Sequence, residues 1–235
     1  FNNSAPVPAT ITFAAQGYFD TLNTKLNIRD SATFYLRNVA SPYTIVDSAK
    51  SVIDSITASG TVTFANAVTG TYYLVVKGRN ILETWSKAGG ESYVRGSAFS
   101  YNFTTAANKA YGNNLILKGS RYCVYSGDVI QNGAVDLDDI IQIFNSANLF
   151  TTGFNINDLT GDRQVDLSDV IISFNNSSNF VLKQVPPGAG PLDKSDNSRK
   201  PLIIKNQVTE DDQKNYESGN IQKNNEDIGT ERSKK

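Results

Sequence analysis

The chain of 235 residues has no histidine, no methionine and a single cysteine, Cys123. Without histidine, Ser-His-Asp chemistry and His-ligated zinc hydrolysis are excluded. One thiol can neither close an intrachain disulfide nor build a zinc site. Acid–base work is left to Asp, Glu, Lys, Tyr or Cys. Cys123, between Tyr122 and Val124, reads as a small buried hydrophobe. An excess of one charge is also missing: 22 Lys and Arg stand against 23 Asp and Glu, for a net −1. The basic residues are scattered, which excludes the electrostatic footprint that nucleic acid requires. No apolar run is long enough to span a bilayer. A chain that starts at Phe1 without a leader is expected to be a processed chain or a fragment, and this permits a secreted origin.

What is present falls into four stretches. Residues 1–9 are polar and proline-bearing and suit a linker. From Thr10 to about Tyr125 the chain alternates with period two, the mark of half-buried strands. Ile11, Phe13 and Ala15 form one inward set. Phe34 and Leu36, Val62 and Phe64, and Tyr72, Leu74 and Val76 form the next three. Phe99, Tyr101 and Phe103, then Leu115 and Leu117, complete the series. Gly, Asn and Ser cluster between the runs, at Ser59-Gly60, Thr69-Gly70, Ala88-Gly89-Gly90 and Gly112-Asn113-Asn114. Six or seven short strands over residues 10–125 predict a β-sandwich large enough to hold one core without staples.

Residues 126–182 change in character, because an acidic segment occurs twice. Asp128-Val-Ile-Gln-Asn-Gly-Ala-Val-Asp-Leu-Asp-Asp139 is followed thirty positions later by Asp158-Leu-Thr-Gly-Asp-Arg-Gln-Val-Asp-Leu-Ser-Asp169. The apolar run behind each copy repeats too: Ile140, Ile141 and Phe144 against Val170, Ile171 and Phe174. Oxygen donors at positions 1, 3, 5, 7, 9 and 12 of a twelve-residue loop are how a chain wraps calcium. In the first loop Asp128, Asn132, Asp136 and Asp139 fall at positions 1, 5, 9 and 12, and Ala134 offers its carbonyl at 7. Gly133 takes the sharp turn at 6, while Ile130 brings no oxygen to 3. In the second loop Asp158, Thr160, Asp162, Asp166 and Asp169 fall at 1, 3, 5, 9 and 12, with the Gln164 carbonyl at 7. Here Arg163 stands at the turn, where a left-handed non-glycine costs roughly 1–2 kcal/mol. The bland alternative is a pair of Asp-rich helix N-caps, formed by Asp138, Asp139, Ser168 and Asp169. Short helices are predicted after each loop, stopped by Asn145-Ser146 and Asn175-Asn176. Their faces Ile140, Ile141, Phe144 and Val170, Ile171, Phe174 are expected to pack against each other. From Pro186 onward charged and amide residues dominate, with one aromatic, Tyr216. Such a stretch buries too little apolar area to offset its ordering entropy, and a disordered tail is expected over 183–235, with Pro201-Leu-Ile-Ile204 as a strand alternative.

Two twelve-residue Asp/Asn loops, each followed by a short helix, resemble the duplicated F-hand of dockerin domains over about residues 126–182. The resemblance implies up to two calcium ions, held by Asp128, Asn132, Asp136 and Asp139 and by Asp158, Thr160, Asp162, Asp166 and Asp169. It also implies a cohesin-like protein or cell-surface scaffold as partner, reached through the helices, in a bacterial polysaccharide-degrading system. Upstream, Tyr35-Leu-Arg37 and Thr69-Gly-Thr-Tyr-Tyr-Leu-Val-Val-Lys77 are similar to prealbumin-like or carboxypeptidase-regulatory-like sandwiches.

The reading is therefore a mainly β chain: a β-sandwich, a dockerin-like calcium-binding pair, and a tail. Three functions compete. The first is a non-catalytic, calcium-stabilised docking module of a secreted or cell-surface bacterial protein. The second is a carbohydrate-binding accessory module, with Trp85, Tyr72, Tyr73 and Tyr93 as an aromatic platform for a glycan. The third is the C-terminal fragment of a secreted hydrolase with its catalytic domain upstream. Within the chain itself the carboxylate pair Glu83 and Glu91 lies in loops without a motif, so no enzyme is expected here.

Overall fold

The computed structural model of the chain describes residues 4–189. Twelve strands precede two helices: β1 (Ala9–Thr12), β2 (Phe19–Asp20), β3 (Lys25–Leu26), β4 (Ser31–Asn38), β5 (Ile45–Val52), β6 (Ser59–Val62), β7 (Gly70–Gly78), β8 (Thr84–Trp85), β9 (Glu91–Tyr93), β10 (Phe99–Asn102), β11 (Ile116–Lys118), β12 (Arg121–Cys123), α1 (Leu137–Asn148) and α2 (Leu167–Ser178). Of the four sheets, the larger two run β10-β1-β6 and β5-β4-β7-β8, with β9 also paired to β7, and β2-β3 and β11-β12 form two-stranded ribbons. β1 is parallel to β10 and antiparallel to β6.

The period-two reading places the core correctly for most strands. Ile11, Phe34, Leu36, Phe64, Leu74, Val76 and Phe103 are all buried in the main core. Full burial of each such side chain is worth about 1.5–3 kcal/mol. Three details differ from expectation. β7 is buried on both faces, because Tyr73 and Val75 pack with Tyr43 and Trp85 in a second cluster. In the Leu115–Lys118 run Leu115 is buried in the core as expected, but Ile116 packs beside it while Leu117 is exposed. β5 escapes the alternation test because its inward positions include Asp47. That carboxylate is buried by accepting from the Asn66 and Ala67 amides at 2.6 and 2.9 Å.

The aromatic platform is overturned. Trp85, Tyr72, Tyr73 and Tyr93 are all buried. Trp85 stacks obliquely on Tyr73 at 5.5 Å between ring centroids, and Tyr93 meets Phe64 edge to face. None of the four presents a face to a ligand. Glu83 accepts the Trp85 indole N–H at 2.8 Å, and Glu91 pairs with Lys87 at 3.4 Å. Cys123 is fully buried, and burial pushes its thiol up to about 12. Residues 183–189, expected to begin the tail, are folded back: Val185 and Ala189 pack on the second cluster, and Tyr43 donates to the Pro187 carbonyl at 3.0 Å. The rest of the expected tail, residues 190–235, lies outside the described residues.

Candidate functional site

The two acidic segments fold as two copies of one loop. Asp128 and Asp158 accept amides from the loop that follows them. Asp128 takes Asn132 at 3.0 Å and Gly133 at 3.1 Å, and Asp158 takes Gly161 at 2.6 Å and Arg163 at 3.1 Å. The last aspartate of each loop reaches back across it. Asp139 accepts from Ile130 at 2.9 Å and Asp136 at 3.0 Å, and Asp169 accepts from Thr160 at 2.9 Å and Asp166 at 2.9 Å. The turn glycine reads as expected, with Gly133 at φ 87°. Arg163 adopts φ 70° at the equivalent point. It is held there by its amide to Asp158 and by its carbonyl, which accepts from Gly153 at 2.8 Å. Ile130, the misfit at position 3, turns its side chain toward the core between the helices instead.

Helix starts are capped, in part by the residues the alternative reading named, Asp139 and Asp169. Asp136 and Asp166 are the N-caps, accepting the Asp138 and Ser168 amides at 3.0 and 2.7 Å. Asp139 and Asp169 complete a capping box at the third helical position. Capping and metal ligation are thus not exclusive readings of the same aspartates. The helices run twelve residues each, straight through Asn145-Ser146 and Asn175-Asn176. Each loop is then bridged to the segment leaving the other repeat unit's helix. Val135 donates to Val181 and Val165 to Thr151, both at 2.9 Å, and the bridges Ala134–Leu182 and Thr152–Gln164 stand thirty residues apart. The pair closes as a pseudo-twofold unit around Val129, Ile143, Leu159 and Val165.

The predicted helix packing faces need correction. Ile143 is fully buried, and Val170 and Ile172 pack beside it. Ile141, Phe144, Ile171 and Phe174 face outward, at 48, 55, 49 and 56 % exposed. With Leu137 and Leu167 they form two equivalent stripes at spacing i, i+4, i+7, the geometry of one helix face. Exposed large apolar groups repeated in register are the uncommon kind of surface feature.

Electrostatically the loops are incomplete. Asp128, Asp139, Asp158 and Asp169 are all at most 1 % exposed. The ion pairs among the described residues, Arg79–Asp30 and Lys87–Glu91, include none of them. Burial, reinforced by the Asp139 charge, raises Asp128 to about 7. Burial raises Asp139 to about 6. Asp158 and Asp169 are raised for the same first reason, desolvation. Backbone amides oppose the shift at all four without cancelling it. No group of three His, Cys, Asp or Glu side chains converges among the described residues. A cation would therefore be held by two buried carboxylates together with amide, hydroxyl, carbonyl and water oxygens. Calcium takes six to eight oxygens in flexible geometry and tolerates such a mixed set, whereas magnesium demands a near-ideal octahedron. The donors expected from the sequence, Asp128, Asn132, Ala134, Asp136 and Asp139 in the first loop and Asp158, Thr160, Asp162, Gln164, Asp166 and Asp169 in the second, all lie along the two loops, but no three of their carboxylates converge among the described residues.

The loops are also joined to the sandwich, by residues that carried no sequence signal. Asn80, fully buried after β7, donates to the Ile156 and Asp158 carbonyls at 3.1 and 2.8 Å. Asn27 donates to the Thr160 carbonyl at 2.9 Å, and Arg79 binds both Asp30 and the Asn155 carbonyl. Asn176 of α2 donates to Gln16 and to the Ser126 carbonyl, each at 2.7 Å. At Gly17 a Cβ would lie 2.0 Å from the Leu159 carbonyl oxygen, so only glycine allows this approach. Single polar residues in a strand-rich stretch leave no pattern from which this seam could be read.

No family model matches the chain, and no curated protein matches it. The solved structures similar to it include two crystal structures of type II cohesin-X-dockerin complexes from Acetivibrio cellulolyticus. For the C-terminal interface mutant the identity is 13 %, over 74 % of this chain and 99 % of that chain, with a TM-score of 0.44. For the N-terminal interface mutant the identity is 16 %, over the same shares, with a TM-score of 0.40.

Proposed function

We propose that the chain is a non-catalytic docking module of an exported bacterial protein. In this reading residues 126–182 form a dockerin-like pair of calcium loop-helix units, and residues 10–125 are the sandwich that carries them. The observation that supports it is a coincidence within one repeat: each buried carboxylate pair ties down the first turn of a helix whose outer face is an apolar stripe. Calcium neutralises the carboxylates and so stabilises the loop. The loop orients the helix, and the helix presents Leu137, Ile141 and Phe144, or Leu167, Ile171 and Phe174, to a partner. The partner that suits two short, flat apolar stripes is a folded protein surface of the cohesin-like kind, on a scaffold at the cell surface. Outside the cell calcium is abundant enough to fill weak sites.

The test is calcium titration of the full chain by calorimetry, followed by binding to an immobilised cohesin domain with and without EDTA. Asp158→Ala with Asp169→Ala should abolish the response of one site. Phe144→Ala with Phe174→Ala should leave calcium binding intact and weaken docking. A calcium-free chain that docks equally well, or a double aspartate variant with the full calcium response, would refute the reading.

A further inference from the structure

A groove of about 450 Å³ lies between the outer face of the β5-β4-β7 sheet and the loop-helix region. Its floor follows from strand register. Thr33 of β4 is opposite Lys50 of β5 on one side and Lys77 of β7 on the other. Ala32, Phe34 and Leu36 point into the core, so Thr33 and Tyr35 share the opposite, groove-lining face. At two strand spacings the lysine backbones stand about 10 Å apart. Gln131, its amide nitrogen held by the Ile81 carbonyl at 3.2 Å, and Phe154 line the other side. Arg79 and Asp30 also line the groove but neutralise each other at 2.8 Å. Neither Lys50 nor Lys77 has an ion-pair partner among the described residues. The groove therefore offers two ammonium groups outside any direct ion pair, Lys77 also acting at longer range on Asp128, with a hydroxyl between them and a half-buried tyrosine ring beside them that carries the Arg37 guanidinium 5.9 Å from its centroid.

We propose that this groove binds an anionic polysaccharide. Acid groups on neighbouring sugars would engage Lys50 and Lys77 through charge-assisted hydrogen bonds, and a sugar ring would lie against Tyr35. A volume of this size suits a ligand of a few rings. The combination of cations, hydroxyl, amide and aromatic face matches a hydroxylated ring with a charged substituent, whereas a bare anion would use only the cations. The site is independent of the docking stripes and shares no residue with them.

Calorimetric titration of the full chain with hexagalacturonate, a chondroitin sulfate hexasaccharide and cellohexaose tests it. At least one of the two acidic sugars should bind, which identifies carboxylate or sulfate as the source, and cellohexaose should not. Lys50→Gln and Lys77→Gln should each weaken binding by about tenfold, the equivalent of one charge-assisted contact. Tyr35→Ala should also weaken it, and the exposed control Lys25→Gln should not. Unchanged melting temperatures would show that the variants fold. The proposal is overturned if neither acidic sugar binds, if Lys25→Gln costs as much as the groove variants, or if inorganic sulfate or hexaglutamate binds as tightly as the sugars.

Discussion

Asn80 is wholly buried in the sandwich and spends its amide hydrogens on two carbonyls of the second loop. Replacing it by alanine leaves the buried Asp158 carbonyl without this donor, and Asn80→Ala should cost about 1–3 kcal/mol in urea denaturation. The four interior aspartates make a separate prediction with a definite sign. Asp128 is raised to about 7 and Asp139 to about 6, so the native chain holds these protons more tightly than the unfolded chain does. In chelated protein their contribution to stability is complete below about pH 4, the unfolded value, and is lost as pH rises through about 7. In the proposed reading calcium takes the ionised form, so its affinity should rise over the same interval with release of protons. Thermal melts in EDTA at pH 5 and pH 8, beside calcium titrations at both, measure this. Chelated protein whose stability grows with pH across this interval would contradict the assignment.

Each helix was legible from its acidic start and its apolar tail, but its inward face was not. Both loops are followed by more apolar residues than one face can bury, and periodicity alone cannot say which subset goes inside. Ile143 is at 0 % exposure and Phe144, the next residue, is at 55 %. Ile143→Ala should therefore destabilise by about 2–5 kcal/mol, whereas Phe144→Ala should change stability by no more than about 0.5 kcal/mol. Denaturant midpoints of the two variants check this contrast. β5 was missed for the converse reason. Its alternation is broken by a buried aspartate whose partners, the Asn66 and Ala67 amides, are supplied by a turn nineteen and twenty residues away. Gly133 and Arg163 show the intermediate case, in which the turn was readable from position and the cost at Arg163 is offset by bonds on both sides of its peptide.

The sandwich and the loop-helix pair share a hydrogen-bonded seam, and this changes what removal of the proposed calcium should do. Two separate modules would lose stability separately, with the sandwich indifferent to EDTA. Here Asn80, Asn27, Arg79, Gln16 and the bare backbone of Gly17 tie the sandwich to the second loop and α2. Loss of order in that loop exposes buried polar groups on the sandwich side as well. EDTA should lower the transition followed by Trp85 fluorescence, which reports the sandwich, together with the one followed by helical circular dichroism. A Trp85 transition that stays fixed while the helical one moves would show that the seam carries no coupling.

From its residues alone this chain declared alternating strands, a thirty-residue acidic repeat with capped helices, and the absence of histidine. These are local matters, set by backbone geometry and by the spacing of oxygen and apolar groups along a few turns. Tertiary contact decided what lies inside. It buried Tyr73, Tyr93 and Trp85, turned Phe144 and Phe174 outward, and joined strand to loop through isolated amides. The physical reason is that burial depends on neighbours brought from over a hundred residues away, as Gln16 and Asn176 are, and such neighbours leave no trace in the local pattern.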